Sequence, residues 1–193
     1  KKFKKNIFTI HIQDPKVSLK NFDLIVCPDH DGLQGENVVN TKGAIHYLTK
    51  KEIEKNLKYI KIEKENKKII SFILGGPNKY FDYSEKQIDT IFNKVKTLFT
   101  PDKYKIIVVP SYRTPVYIIK KAFNTFSHNH LVFKKIDKNA YLSSLSLSDL
   151  IVVTCDSISM ISEAAITGKP IYIANMLPIK NNARFKNFYS QFK

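Results

Sequence analysis

From residue 69 to residue 174 the chain alternates two hydrophobic patterns. Short, continuously apolar runs are separated by longer segments whose apolar residues recur every three or four positions. The runs at 69–74, 105–110, 150–154 and 170–174 predict strands buried on both faces, with a shorter strand at 131–133. Between them the spacing predicts helices over 84–99, 116–126, 141–147 and 157–167. In the first of these, Ile88, Ile91, Phe92, Val95, Leu98 and Phe99 share one face. Fully apolar strands alternating with helices imply an α/β fold built on a Rossmann-like, doubly wound parallel sheet. Sheets of that kind take ligands at the carboxyl ends of their strands.

The first third of the chain is less regular. Apolar runs at 7–13 and 22–27 predict two more strands, closed by Asp14-Pro15 and Pro28-Asp29 respectively. The stretch 29–41 is polar and carries Gly32 and Gly35, so it reads as a connecting or functional loop. A short charged helix is expected over 49–57. Residues 58–68 hold five lysines with little apolar periodicity and read as a linker. Two domains follow from this, one closing over 1–60 and a second over 66–193 that ends in an amphipathic helix at 181–192.

Composition narrows the function classes without choosing one. No run reaches the roughly 18 apolar residues that a bilayer crossing needs. The formal charge of +15 invites an anionic partner, but of 32 basic residues only Arg113 and Arg184 are arginine. Specific phosphate and base readers favour the forked guanidinium, so the scattered lysines read first as the codon bias of an AT-rich genome with solvated faces; peripheral contact with an acidic membrane surface is the lesser alternative, and no specific nucleic-acid recognition is expected. Cys27 and Cys155 each end an apolar run and form no CxxC pair. They read as buried free thiols of a cytoplasmic protein, with any membrane contact peripheral and at the inner face.

The chemistry gathers where strands are expected to end. The segment 148–173 passes from a buried strand through Thr154-Cys155-Asp156 into a helix that opens with Ser157 and Ser159. A helix N-terminus carries unpaired N–H groups and partial positive charge, which suits a phosphate. Glu163 lies four residues beyond Ser159, on the same face and about 6 Å further along the axis. That offset fits a diphosphate at the helix start and a ribose whose two vicinal hydroxyls reach Glu163. The bland alternative is a capped helix with a surface carboxylate. Gly75-Gly76 follow a strand and let backbone N–H groups close on an anion, but neither a dinucleotide fingerprint nor a phosphate loop accompanies them. Arg113 stands between Ser111 and Thr114 in a strand-to-helix turn, with the bidentate geometry a diphosphate would use. Asp29-His30-Asp31 follows the second early strand: its His30 or Asp31 is a candidate base for an acceptor hydroxyl, and the triplet could alternatively begin a divalent-metal site, for which no further ligands support a metal. His11 sits inside an apolar strand and reads as structural. His128 and His130 have metal-like spacing without further ligands; they are placed near a nucleotide base instead, and no metal site is expected.

Taken together these segments carry a resemblance. Glu-Ala-x-x-x-Gly-Lys-Pro, from Glu163 to Pro170, is similar to the donor-nucleotide motif of glycosyltransferases with two Rossmann-like domains, the B fold. The chain resembles more closely the plant mitochondrial-fission, elongated-mitochondria family and its bacterial relatives. That likeness rests on Gln13-Asp14-Pro15, Pro28-Asp29-His30-Asp31, Gly75-Gly76-Pro77, Ser111-x-Arg113-Thr114-Pro115 and Asp156-Ser157-x-Ser159 leading to Glu163-Ala164. The resemblance implies the C-terminal domain of a B-fold architecture plus the closing part of an N-terminal, acceptor-side domain whose earlier strands lie outside the chain. His30 and Asp31 would face the cleft between them. It also implies a nucleotide sugar as substrate, with no cofactor, and transfer to an unknown acceptor. The rival expectations are a sugar-nucleotide epimerase of the same fold and a non-catalytic scaffold that recruits a membrane-remodelling partner.

Overall fold

A computed structural model describes residues 7–63 and 65–191. Lys64 of the expected linker and residue 192, the expected end of the tail helix, lie outside the described residues. Backbone contacts divide the chain into two compact units. One comprises the described residues through His46 together with Asn182 onward, and the other spans Tyr47–Asn181.

The larger unit contains five parallel strands, β4 (Lys68–Leu74), β5 (Tyr104–Pro110), β6 (Leu131–Val132), β7 (Leu150–Thr154) and β8 (Ile171–Ala174). Their order across the sheet is β6-β5-β4-β7-β8. The chain therefore runs outward from β4 through β5 to β6, then crosses back to β7 on the other side. That reversal makes the carboxyl ends of β4 and β7 a topological switch point. Six of the seven residues of β4 are buried, which is why five of those six are apolar rather than alternating with polar ones; the sixth is Ser71.

Helices α2 (Glu85–Leu98) and α3 (Val116–Phe126) cover β4 through aromatic packing. Phe72 on β4 meets Phe92 and Phe126 edge to face, each with ring centroids 5.9 Å away, and Phe92 and Phe126 lie 5.2 Å apart. Truncating one such ring to alanine costs about 3–5 kcal/mol. Helices α4 (Lys138–Leu147) and α5 (Ile158–Ala165) follow β6 and β7. The first of them is longer than the sequence indicates, because Asp137 caps it by accepting a hydrogen bond from the Ala140 N–H at 3.0 Å. Its weak amphipathic pattern also has a cause. Ser143 and Ser144 are fully buried, and their hydroxyls are satisfied by the Ile60 N–H at 3.0 Å and by Ser71 Oγ at 2.8 Å.

That pairing corrects the linker reading of 58–68. The short helix α1 (Lys50–Glu54), capped by Thr49, is followed by turns that pin the chain to α4. Ile60 is buried in a cluster with Ile69, Ile107, Val109 and Ala140, and the Tyr59 hydroxyl donates to Asp137 at 2.6 Å. Lysine density marked a solvated face rather than a free tether.

The smaller unit holds three parallel strands, β1 (Ile10–Ile12), β2 (Leu24–Pro28) and β3 (Val38–Thr41), in that order. The sequence reading assigned β3 to a loop. It is a strand because Asn40, the residue that made it look polar, spends its amide on the Cys27 carbonyl at 3.2 Å and the Leu33 carbonyl at 3.1 Å. His11 stacks on Phe22 with centroids 4.7 Å apart, a structural role as expected. The tail helix α6 (Ala183–Ser190) packs against the turn Asp29–Asp31 and so belongs with this unit, not with the second domain.

Candidate nucleotide-binding site

Six of the residues singled out in the sequence, Gly75, Gly76, Ser111, Arg113, Thr114 and Asp156, converge at the switch point in one hydrogen-bonded network around Asp156. This carboxylate is 2% exposed. It accepts from Thr154 Oγ1 at 2.7 Å, the Gly76 N–H at 3.1 Å, Arg113 Nη2 at 2.7 Å and the Tyr83 hydroxyl. Arg113 also donates through Nη1 to the Gly76 carbonyl at 3.1 Å, and the Gly75 N–H donates to Thr154 Oγ1 at 2.8 Å. Thr114 Oγ1 donates toward the Leu74 and Gly75 carbonyls at 2.8 and 2.7 Å and accepts from the Ser111 N–H at 2.8 Å. Burial and the neighbouring Asp156 charge push the Tyr83 phenol far above its ordinary value, so it remains a donor. Tyr83 itself is fully buried at φ 59°, a left-handed conformation that non-glycine residues rarely adopt.

These contacts revise the role expected of four residues. A Cβ on Gly75 would lie 2.2 Å from the Asp156 carboxylate oxygens, and one on Gly76 would lie 1.8 Å from the Arg113 carbonyl. The two glycines are therefore required by contact between the protein's own turns, not by the approach of an anion. Arg113 spends two donors internally and is 40% exposed, which leaves its remaining N–H groups in a fixed orientation. Thr114 fastens the β5–α3 turn to the end of β4.

An open cleft of about 260 Å³ lies beside this network. Its walls come from Ile73 near the end of β4, Pro110 at the end of β5 with Ser111 and Tyr112 after it, Ile136 and Asp137 before α4, Lys138 and Tyr141 on α4, and Met160 and Glu163 on α5, together with Tyr47. Glu163 is partly buried and accepts the Tyr141 hydroxyl on Oε2 at 2.7 Å. Burial, reinforced by the Glu163 charge, raises the Tyr141 phenol well above its ordinary value. The ring of Tyr141 packs on the Ile60–Ile69–Ile107 cluster. Ser157 caps α5 by accepting from the Met160 N–H at 3.4 Å, while Ser159 is exposed on its first turn. The cap is thus real, and Glu163 is no bulk-solvent charge. Lys169 of the Gly-Lys-Pro motif points elsewhere: its Nζ donates to the Leu145 and Ser146 carbonyls, both at 2.7 Å, and so ties the end of α5 to the end of α4.

His30 and Asp31 sit in the smaller unit. His30 is 1% exposed, lies edge-on to Phe188 at 5.3 Å, and has its pKa lowered chiefly by burial. Its Nε2 is 3.4 Å from Arg184 Nη2, and Nδ1 has no partner among the described residues. Arg184 Nε holds Asp31 Oδ1 at 2.5 Å. Both His30 and Asp31 thus contact Arg184 of α6, and the candidate base His30 is enclosed. Cys27 lies beneath it, its thiol pushed up to about 11 mainly by burial, and Cys27 and Cys155 are both free and buried. The placement of His130 near a nucleotide base is corrected too. Its Nδ1 accepts from the Ile106 N–H at 3.3 Å toward the start of β5, the edge of the sheet opposite the cleft. Among the described residues no group of three His, Cys, Asp or Glu side chains is arranged to hold a metal, and no helix is long and apolar enough to cross a membrane.

Sequence reasoning missed Tyr83 and Tyr141. Nothing in the local sequence marks their hydroxyls as engaged. Their partners are 73 and 22 residues away.

The doubly wound parallel sheet of the larger unit, with its polar residues gathered at the strand ends, is a Rossmann-like domain of the B-fold architecture. The chain belongs to the mitochondrial fission ELM1 family, whose model matches residues 1–193. It is 27% identical to the mitochondrial fission protein ELM1 of Arabidopsis thaliana over 87% of this chain and 45% of that protein. It is also 27% identical to an uncharacterised protein of Rickettsia prowazekii, over 99% of this chain and 64% of that one. The chain thus spans about half to two-thirds of the length of these relatives. Among solved structures it is similar to the Staphylococcus aureus MnaA–UDP complex, with a TM-score of 0.50 and 15% identity over 89% of this chain and 50% of that one. That likeness is one of fold.

Proposed function

We propose that the larger unit binds a nucleoside diphosphate sugar in the cleft at the ends of β4 and β5, and that the protein transfers the sugar to an acceptor. The observation that carries this reading is the placement of Glu163: it lines the cleft, is oriented by Tyr141, and lies one helical turn past the exposed Ser159. In the proposed mode the diphosphate meets the start of α5, where unpaired N–H groups and the Ser159 hydroxyl stabilise its charge. Arg113, held rigid by Asp156 and Gly76, adds its free N–H edge to the leaving diphosphate. Glu163 takes the ribose hydroxyls, and no protein nucleophile is required.

A thermal-shift panel of nucleoside diphosphates and their sugars tests this reading. One nucleotide should stabilise the protein selectively, and Glu163→Ala should abolish the shift. Equal, salt-sensitive shifts from every polyanion would defeat it.

The Arabidopsis relative's name favours one second reading, a scaffold of the same fold that recruits a membrane-remodelling partner. That role should survive Glu163→Ala, whereas sugar transfer should not.

A further inference from the structure

Tyr141 is the least expected member of the cleft. It comes from α4, while the carboxylate it touches comes from α5, and no motif links the two. Its ring is fixed by packing on the buried cluster of Ile60, Ile69 and Ile107. Its hydroxyl is fixed by Glu163 Oε2 at 2.7 Å. The helix that carries it is itself fastened at both ends: by Asp137, which accepts from the Ala140 N–H and from the Tyr59 hydroxyl, and by Lys169 on its final carbonyls. The register of α4 against α5 is therefore set independently of the Tyr141–Glu163 bond, which spans a gap the scaffold holds constant.

A phenol has one proton to give and its high pKa keeps that proton in place. A carboxylate bonded through Oε2 keeps Oε1 as its acceptor for a ligand. It also cannot rotate freely about its terminal torsion, which for an unrestrained Glu is broad and nearly two-fold. Fixed acceptors discriminate sharply between a ligand hydroxyl and its absence, because a charged group left unpaired in a partly buried cleft is costly.

We propose that Tyr141 is a positioning residue that locks the Glu163 carboxylate with one oxygen presented to the cleft, and that this makes the site selective for the vicinal diol of a ribonucleoside diphosphate over its deoxy forms. The proposal rests on the nucleotide-binding reading above and adds the source of its sugar selectivity.

The test measures dissociation constants for the four common nucleoside diphosphates, each beside its 2′,3′-dideoxy counterpart, on the wild-type protein and two variants. The wild type should prefer the ribo form by about tenfold or more, the expected effect of hydrogen bonds to a charged group. In Tyr141→Phe the ribo form should weaken by about tenfold while the dideoxy form is unchanged, so the preference collapses; a purely structural role would weaken both alike. Glu163→Gln probes the lock without altering the tyrosine. If the diol is read by the locked carboxylate, the Tyr141 proton selects the amide carbonyl, a neutral NH2 donor replaces the charged acceptor in the cleft, and the preference falls well below that of the wild type. A preference of wild-type size in this variant means that the carboxylate does not read the diol. A preference retained in Glu163→Gln, or retained in folded Tyr141→Phe, overturns the proposal and leaves nucleotide binding intact. A wild-type protein that binds none of the eight compounds overturns the nucleotide reading and this proposal with it.

Discussion

Arg113 donates to Asp156 across 2.7 Å, and the carboxylate it reaches has no side-chain surface exposed to solvent. The pair joins the turn after β5 to the turn after β7 over the intervening end of β4, so three strand ends are bound into one rigid floor. Such a buried carboxylate is stable only while its partners remain. Arg113 uses the fork of its guanidinium here, one arm on Asp156 and one on the Gly76 carbonyl, which a lysine cannot do.

Arg113→Lys keeps the charge and loses the fork. We expect a loss of about 2 kcal/mol, scaled from the cost of leaving a buried acceptor underpaired and moderated by the partial exposure of the guanidinium. Urea denaturation checks this through a lower midpoint at unchanged m-value. Tyr83→Phe, which removes only a hydroxyl from the same carboxylate, should cost about 1–3 kcal/mol in the same assay.

The glycines separate contact from conformation. Gly76→Ala sets a methyl carbon 1.8 Å from a backbone carbonyl and should prevent or severely impair folding. Gly168→Ala meets nothing within 4 Å and pays only for its φ of +69°, about 1 kcal/mol. Melting temperatures of the two proteins should differ widely, and similar values would refute the close approach.

Lys169→Met retains the apolar stem and removes two hydrogen bonds from the end of α4. A loss of about 1 kcal/mol is expected, since the Ser146 carbonyl loses its lysine donor whereas the Leu145 carbonyl keeps the Ser148 hydroxyl at 3.2 Å. Amide exchange should show the last turn of α4 opening faster, with β4 and β5 unaffected.

His130 gives a pH dependence. Burial lowers its pKa to about 4, and the cations of Lys105 and Lys67 act in the same direction. The unfolded chain, with a histidine near 6.5, binds the proton more readily than the fold does. Stability from this residue is therefore complete above about pH 6.5 and is lost as the pH falls from there toward 4. A His130→Gln protein should show a shallower fall in melting temperature over that window than the wild type does.

Much of the larger unit was legible because its strands are buried on both faces. Continuous apolar runs such as 69–74 have no other reading when helical periodicity follows each one. The residues Gly75, Gly76, Arg113, Thr114 and Asp156 were legible as a set, since each occupies a strand-to-helix turn. Their roles were not. A turn residue's type shows that it does something special, but whether Arg113 faces a ligand or Asp156 depends on which turns adjoin. The loop reading of 29–41 failed at 38–41 because Asn40 looks polar in sequence and is neutralised in space by the carbonyls of Leu33 and Cys27, 7 and 13 residues earlier.

By itself, then, the sequence determined the alternation of strands and helices, the sheet edge where polar residues collect, and the family. These depend on local period and on turn chemistry, both written over a few consecutive positions. Only the tertiary structure decided that α6 returns to the first unit, that His30 is enclosed and His130 lies at the far edge, and that Tyr141 stands on Glu163. Those facts rest on contacts across tens of residues, where strand order and burial determine which polar atoms find each other.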